Sequence, residues 1–248
     1  MKHILSVKNP QVKEWKKRLT KKEREKTGTF LVEGFHLVEE AFKAEAIIDL
    51  IISEEIDVPS WDYGDIPITI VTKEIIKELS DTETPQGIFA LCRQFDYPEI
   101  LSTAQTFIAI DQVQDPGNMG TIIRTADAAG VDAVIIGEGT VDIYNPKVVR
   151  SGQGSHFHLP IVKTNLSAFI DALKERHIPV YGTALENGRN YREIEKTDTF
   201  CLILGNEGSG VSKQVLSKTD TNLYIPIHGK SESLNVAVAA GILMYYFK

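Results

Sequence analysis

The chain has 248 residues, of which 42% are hydrophobic and 25% charged, and its formal net charge is −7. Such a chain suits two modest domains or one large α/β unit with a buried core, which excludes a mainly disordered or fibrous protein. No stretch approaches the roughly 18 uncharged apolar residues of a membrane-spanning helix and no signal peptide opens the chain, so we expect a cytoplasmic protein without a membrane partner.

Charge is divided unevenly along the chain. Residues 1–30 contain ten Lys or Arg and three Glu, a net charge of +7, whereas the remaining residues carry −14. A basic segment can contact nucleic-acid phosphates, because neutralising backbone phosphates releases counterions. The alternative is a solvated helix laced with charge pairs, in which Trp15 anchors the helix instead of stacking on a base. The candidate phosphate contacts, which the resemblance described below makes candidate RNA-binding residues, are Lys13, Lys16, Lys17, Arg18, Lys21 and Lys22.

Hydrophobic periodicity predicts a small α/β domain over residues 1–97. In order, the predicted elements are a polar helix over 10–26, a strand and turn over 29–34, a helix over 36–46, strands over 47–52 and 68–71, a helix over 73–79 and a strand over 88–92. Residues 98–105 show no convincing period and are expected to form a linker.

Strands and helices alternate more regularly from residue 106 to 248. The predicted strands are 106–111, 133–137, 157–162, 179–183, 200–205 and 223–227, and the predicted helices are 118–129, 146–151, 167–176 and a final one from 234. Strands that are apolar on both faces and separated by helices predict a parallel sheet covered on both sides.

The two cysteines, Cys92 and Cys201, lie far apart in the chain. Their spacing predicts neither a disulfide framework nor a cysteine-based zinc site. We therefore expect two buried thiols and no metal.

The first of three glycine-bearing loops, residues 111–126, connects a strand to a helix. Asn118 stands at the expected start of that helix, and Arg124 falls off its buried face. A helix cap would account for Asn118, and a local ion pair with Asp127 would account for Arg124. This loop alone leaves structural and functional interpretations open.

The second loop, residues 202–211, contains three glycines and Glu207. A tight turn accounts for the glycines but not for the carboxylate. The spacing is neither that of a P-loop nor that of a dinucleotide fingerprint, so nucleoside triphosphate and NAD sites are set aside.

The third loop, residues 225–235, precedes a helix that is apolar nearly all round. Such a helix must be buried on every side, and a subunit interface is the natural place for it. Ser233 or Asn235 is a candidate for its cap. His228 and Lys230 are expected to be exposed loop residues.

In this order and combination, the three loops resemble the SpoU-type RNA ribose 2′-O-methyltransferases of the SPOUT class. The matching segments are Asn118-x-Gly-x-x-x-Arg124-Thr-Ala, Gly205-x-Glu207-x-x-Gly, and an Ile225-Pro segment that ends in Ser233-Leu-Asn235. The resemblance covers about residues 106–248, and the basic start with residues 30–34 and 84–87 resembles the amino-terminal RNA-binding domain of the family more loosely. Residues 150–155 depart from the family's Ala-rich pattern, so substrate contacts there are not carried over.

The resemblance implies an α/β fold: a SPOUT-type knotted, mostly parallel sheet domain over 106–248 with a smaller amino-terminal α/β RNA-binding domain. It also implies S-adenosylmethionine as methyl donor, a homodimer whose second copy completes the site, and RNA as substrate, with rRNA favoured over tRNA. The implied cofactor contacts are Thr183, Gly205, Ile225 and Leu234. The implied catalytic residues are Asn118, Arg124, Glu207, Ser233 and Asn235.

The implied reaction moves a methyl group from a sulfonium to a ribose 2′-hydroxyl by in-line displacement without a metal. Arg124 is expected to be essential, as a base or as a cation that holds an RNA phosphate, because a guanidinium normally keeps its charge. Asn118 and Asn235 are expected to position the ribose and the loops, and Glu207 the arginine or the target nucleotide. The alternatives are a tRNA substrate, or a non-catalytic RNA-binding or ribosome-assembly protein on the same fold.

Overall fold

The computed structural model describes residues 1–248, which form two compact units. The first unit comprises Met1–Phe95 and the later segment Asp142–Phe157, and the second comprises Asp96–Val141 and His158–Lys248. The predicted domain of residues 1–97 therefore lacks a segment that the chain contributes to the first unit after residue 141. Such a short segment has too few apolar residues to reveal by their period which core they enter.

The secondary structure alternates strands and helices along most of the chain. The strands are β1 (Lys2–Ile4), β2 (Thr29–Glu33), β3 (Ile47–Ser53), β4 (Ile68–Val71), β5 (Ile88–Arg93), β6 (Thr106–Asp111), β7 (Ala133–Ile136), β8 (Ile161–Lys163), β9 (Val180–Thr183), β10 (Arg189–Asn190), β11 (Phe200–Gly205) and β12 (Thr221–Tyr224). The α-helices are α1 (Pro10–Lys17), α2 (Lys21–Thr27), α3 (Phe35–Lys43), α4 (Lys73–Leu79), α5 (Ile100–Thr103), α6 (Pro116–Ala128), α7 (Pro146–Gly152), α8 (Leu166–Glu175), α9 (Lys213–Leu216) and α10 (Val236–Phe247).

The first unit is built on a mixed five-stranded sheet in the order β1-β4-β3-β5-β2. Strand β4 is parallel to β1 and β3, whereas β5 is antiparallel to β3 and β2. Both faces are covered: Leu50 and Ile52 of β3 pack with α3 residues on one side, and Ile51 packs with α1 and α4 residues on the other. This alternation follows from the two-residue period of a strand.

The predicted helix over 10–26 is two helices in the structure. Asn9 caps the start of α1 by accepting from the amide of Gln11, and Arg18 is its C-cap. The C-cap of α2 is Gly28, whose φ of 62° suits a residue without a side chain. Because the helices are separate, α1 buries Trp15 and α2 buries Arg24. Trp15 on α1 is only 2% exposed, so it anchors the helix and does not stack on a base.

A buried ion pair and an aromatic cluster hold the segment Asp142–Phe157 in the first unit. Arg24, 3% exposed, donates from Nε to Asp142 at 3.0 Å. The ring of Phe30 lies 4.6 Å from that of Tyr144 and 6.0 Å from that of Phe157. A buried charge needs its partner, so the segment and the amino-terminal residues depend on each other.

The second unit contains a seven-stranded sheet in the order β10-β12-β9-β11-β6-β7-β8, in which every pairing is parallel. All residues of β6 and β11 are buried, because helices cover both faces of the sheet. The predicted covered parallel sheet is therefore confirmed. The sheet order does not describe how the chain threads, so the knot stays a prediction.

Two further predicted segments have a different structure. Helix α5 lies inside the predicted linker 98–105, and Arg176 donates hydrogen bonds to the carbonyl oxygens of Leu101 and Ala104 at 2.6 and 2.5 Å. The predicted strand over 157–162 is a 3₁₀ turn, Ser155–Phe157, followed by the short strand β8. Both differences come from tertiary contacts that local periodicity does not record.

No helix in the structure has both the length and the apolar content that crossing a membrane requires.

Candidate functional site

The glycine-bearing loops leave the same edge of the second sheet. Strands β6, β11, β9 and β12 are parallel neighbours, and they end at Asp111, Gly205, Thr183 and Tyr224. Gly205 pairs directly with Asp111, and Thr183 pairs with Leu223. Neighbouring strands lie about 4.8 Å apart, so the loops begin close together. Ligands of parallel sheets bind at this edge, beyond the carboxyl ends of the strands.

Glu207 joins the second loop to the first through three hydrogen bonds. Its carboxylate accepts from the amides of Gln114 and Asp115 at 3.1 and 3.0 Å, and from Asn118 Nδ2 at 3.1 Å. Asn235 Nδ2 in turn donates to Asn118 Oδ1 at 2.8 Å, across 117 positions of sequence. Asn118, Glu207 and Asn235, three of the predicted catalytic residues, thus form one connected network.

Asn118 is not the cap of its helix. Helix α6 begins at Pro116 with Asp115 as its cap, and Asp115 Oδ1 accepts from the amide of Asn118 at 2.8 Å. Asp followed by Pro is a helix-start signal, because Asp favours the cap and Pro the first helical position. The capping interpretation of Asn118 is therefore wrong, and its side chain serves the network instead.

Asn235 both caps a helix and enters the network. Its Oδ1 accepts from the amides of Ala237 and Val238 at 2.9 and 3.3 Å, while its Nδ2 donates to Asn118. An amide side chain has a separate acceptor and donor, so the two roles do not compete. The capping prediction for Asn235 is confirmed. Ser233, two residues earlier, is exposed.

The electrostatics of Glu207 suit an anchor better than a proton acceptor. Partial burial raises the pKa of its carboxyl group, but the hydrogen bonds from Asn118, Asp115 and Gln114 outweigh burial and leave the pKa below its usual value. Such a carboxylate is a weak base that stays ionised at neutral pH. The expectation that Glu207 fixes Arg124 is wrong, since Glu207 holds Asn118 and the two amides; contact with the target nucleotide stays a prediction.

Arg124 lies on the exposed side of α6, roughly 9 Å along the helix axis from Asn118. The local ion pair with Asp127 is not formed, because the Asp127 carboxylate faces Nδ1 of His158 at 3.2 Å. The guanidinium of Arg124 has no hydrogen-bond or ion-pair partner within the chain. An unpaired guanidinium on the helix that carries Asn118 is available for an anionic oxygen such as that of a phosphate.

The predicted S-adenosylmethionine contacts lie at the edge where the loops begin. Thr183 and Gly205 end strands β9 and β11, Ile225 follows β12, and Leu234 lies just before the cap of α10. No amide within residues 225–234 donates to another backbone group, and Leu234 is 37% exposed. Backbone donors beside apolar side chains suit a ligand with an adenine ring, ribose hydroxyls and a carboxylate. These residues therefore fit the cofactor, although their contacts with it stay predictions.

Gly205 is required by its own loop. A Cβ at this position would lie 2.1 Å from backbone atoms of Gly210 and Val211. The loop folds back because Asn206 and Gly210 exchange two backbone hydrogen bonds of 3.0 and 2.9 Å. Any larger residue at 205 would open this turn and displace Glu207.

The six predicted RNA-binding residues lie on α1, α2 and the turn between them. Four are paired with acidic residues: Lys16 with Glu78, Lys17 with Glu14, Arg18 with Glu14, and Lys21 with Glu25. Arg18 also donates to Thr29 Oγ1 at 3.2 Å and is mostly buried. Lys13 and Lys22 are exposed and have no ion pair. The segment therefore combines the charge-laced helix with two cations available to a partner.

Sequence reasoning missed several residues that shape the site. Asp111 accepts from the amide of Ser212 at 2.7 Å, and Asn206 Nδ2 donates to the carbonyl oxygen of Gln112 at 2.9 Å. Asp115 was detectable, because an acidic residue before Pro116 marks a helix start. For Asn206 no local signal existed, since its partner lies 94 positions away.

No group of three His, Cys, Asp or Glu side chains is arranged to hold a metal ion. Cys92 and Cys201 are free and fully buried, and burial raises the pKa of both thiols. The prediction of two buried thiols is confirmed, and neither belongs to the site.

Comparison with known proteins identifies both parts of the chain. A model of the SpoU rRNA Methylase family matches residues 105–245, and a model of the MRM3-like substrate binding domain matches residues 9–90. The chain is 52% identical over 249 residues to the 23S rRNA (guanosine(2553)-2′-O)-methyltransferase RlmP of Bacillus subtilis, with 100% of each chain covered.

Solved structures of relatives have the same fold. The AdoMet-bound rRNA methyltransferase from Sinorhizobium meliloti is 31% identical with a TM-score of 0.89, over 98% of this chain and 96% of that one. The SpoU methyltransferase AviRb from Streptomyces viridochromogenes, in complex with AdoMet, is 27% identical with a TM-score of 0.84, over 96% of each chain. The predicted fold class, enzyme class and cofactor are thereby confirmed. The chain belongs to the SpoU rRNA methylase family.

Proposed function

We propose that the chain transfers a methyl group from S-adenosylmethionine to the ribose 2′-hydroxyl of the 23S rRNA guanosine that RlmP modifies in Bacillus subtilis. The observation that carries this proposal is the hydrogen-bonded network of Asn118, Glu207 and Asn235, together with the unpaired guanidinium of Arg124 on the same helix as Asn118. A relative 52% identical over the whole chain supports rRNA over tRNA. A substrate of this kind would place the reaction in the cytoplasm.

The chain's own residues align the reaction. When bound by the loops at Thr183, Gly205, Ile225 and Leu234, the cofactor supplies an activated methyl group on a sulfonium. Asn118, fixed by Glu207 and Asn235, orients the ribose. Arg124 binds the phosphate next to that ribose, and its positive charge stabilises the 2′-oxygen as the hydroxyl proton passes to solvent water. Alignment of reacting groups lowers a barrier by several kcal/mol, so a rigid network is useful even without a strong base.

The site functions in a homodimer formed through α10. Its residues Val238, Ile242 and Tyr245 are 53%, 36% and 59% exposed and recur at helical spacing, so they form an apolar stripe. Exposed apolar stripes of this kind mark interaction surfaces. Helix α10 packs on α6, which carries Arg124, so a second copy on the stripe would adjoin the site.

Arg124→Ala tests the function directly. The variant and the wild type are incubated with S-adenosylmethionine and 23S rRNA from cells that lack the chain, and methylation is mapped as resistance of the phosphodiester bond to alkali. We expect loss of methylation and a nearly unchanged dissociation constant for S-adenosylmethionine. Lys174→Ala, which removes an exposed charge from α8, is the matched control. Full methylation by Arg124→Ala would contradict the assignment, and a wild type that binds the RNA without methylating it would favour the non-catalytic alternative.

A further inference from the structure

Gln112 adopts a left-handed backbone conformation with a φ of 65°. This conformation is unfavourable for residues with a Cβ, and such residues concentrate at functional sites. Gln112 follows Asp111 at the end of β6 and precedes the amides of Gln114 and Asp115 that Glu207 holds. Its conformation therefore sets the direction in which the chain leaves the sheet toward Asn118.

Side chains from two other loops bind both backbone groups of Gln112. Asn206 Nδ2 donates to its carbonyl oxygen at 2.9 Å, and its amide donates to Thr140 Oγ1 at 3.3 Å. A second hydrogen bond ties the segment of Thr140 to the first loop, because Gln114 Nε2 donates to the carbonyl oxygen of Gly139. The unfavourable conformation is thus clamped from both sides by residues distant in sequence.

Both polar atoms of the Asn206 side chain are engaged within the chain. Its Oδ1 accepts from the amides of Gly208 and Ser209 at 2.9 and 3.0 Å, which closes the turn of the second loop. Its Nδ2 reaches the first loop. Asn206 therefore couples the turn that carries Glu207 to the strand end that carries Gln112.

We propose that Asn206 and Thr140 are positioning residues for methyl transfer, which clamp Gln112 in its left-handed conformation so that the first loop presents Asn118 to the ribose. This inference rests on the proposed function. Each residue acts through a backbone group of Gln112, which makes it a positioning residue and not a catalytic one.

Two variants remove one side of the clamp each. Asn206→Asp keeps the size of the side chain and an oxygen for the turn, but it cannot donate to Gln112; Thr140→Val loses only the hydroxyl. We expect each to lower kcat about tenfold, the scale of one strained residue, with KM for RNA and the dissociation constant of S-adenosylmethionine within about threefold. Thr140→Ser keeps the hydroxyl and is the matched control, with kcat near that of the wild type.

Gln112→Gly separates positioning from a general structural role. Glycine adopts a positive φ without steric penalty, so its conformation no longer depends on the clamp. We expect the double variant Gln112→Gly/Asn206→Asp to regain most of the kcat that Asn206→Asp alone loses. Hydrogen exchange of residues 111–118 provides a readout independent of activity: exchange should be faster in Asn206→Asp than in the wild type.

The outcomes distinguish this inference from the proposed function. A wild type inactive on 23S rRNA contradicts the proposed function, and hydrogen exchange then still tests the clamp. An active wild type whose kcat is unchanged by Asn206→Asp and Thr140→Val overturns the clamp. The clamp is also overturned if Asn206→Asp lowers kcat and the double variant Gln112→Gly/Asn206→Asp does not restore it. Asn206 would then act by another route.

Discussion

Replacement of Glu207 measures how strongly the network supports methyl transfer. The carboxylate accepts three hydrogen bonds, one at Oε2 from Gln114 and two at Oε1 from Asp115 and Asn118. Hydrogen bonds to charged groups contribute about 1.5–3 kcal/mol when buried, and exposure at this site lowers that to about 1 kcal/mol each. Glu207→Ala removes all three hydrogen bonds, which is a loss of about 3 kcal/mol. Glu207→Gln keeps the two hydrogen bonds that end on one oxygen and loses the third, which is a loss of about 1 kcal/mol.

These energies predict a graded loss of activity. Each 1.4 kcal/mol corresponds to a factor of ten in rate, so kcat/KM on 23S rRNA should fall roughly 10²-fold in Glu207→Ala and roughly fivefold in Glu207→Gln. The assay is single-turnover methyl transfer with saturating S-adenosylmethionine. Glu175→Ala, which removes an exposed carboxylate from α8, is the control. Values of kcat/KM within twofold of the wild type in Glu207→Ala would refute the role of the network.

The pH dependence gives an independent check of the same residue. Because the folded-state pKa of Glu207 is lowered, its hydrogen bonds are fully present above the ordinary carboxyl pKa and are lost only as pH falls through the lowered value. Activity that declines on acidification near neutral pH must therefore have another origin. Wild type and Glu207→Gln should show the same acid limb in a kcat–pH profile, and an acid limb that disappears in Glu207→Gln would contradict this.

Three further predictions concern other parts of the chain. Val238→Asp should place a charge in the α10 stripe and yield a monomer in sedimentation velocity, with loss of methyl transfer; a dimeric variant would exclude this interface. The double variant Lys13→Ala/Lys22→Ala should reduce the slope of log K against log salt for RNA binding by roughly 1.5. The control variant Lys17→Ala/Lys21→Ala, which removes two ion-paired lysines, should reduce the slope by less. Burial lowers the pKa of His156 from 6.5 to about 4, although a hydrogen bond to the Ile143 carbonyl opposes the shift. The unfolded chain therefore binds the proton more tightly than the folded chain. The free energy of unfolding accordingly rises with pH between about 4 and 6.5. Urea unfolding should therefore show the wild type losing about 2 kcal/mol more than His156→Phe between pH 7 and pH 5, and equal losses would refute the buried neutral histidine.

The sequence by itself determined the elements whose pattern is local. Strand β11 is a continuous apolar run and β6 is apolar from Phe107 to Ile110. The bounds of both strands match the prediction, because burial on both faces leaves a signal in consecutive residues. The three loop motifs identified the family in the same way, since each is a short contiguous segment. The cap of α10 at Asn235 was also readable, because capping involves residues two and three positions away.

Only the tertiary structure decided which residues meet across long stretches of chain. Asn118 was interpreted as a cap, yet it bonds Glu207 and Asn235, 89 and 117 positions away. The segment Asp142–Phe157 returns to the first unit because Asp142 pairs with the buried Arg24, 118 positions earlier. Hydrogen bonds and ion pairs of this kind leave no period in the sequence, because their partners are brought together by the sheet order and not by their spacing along the chain.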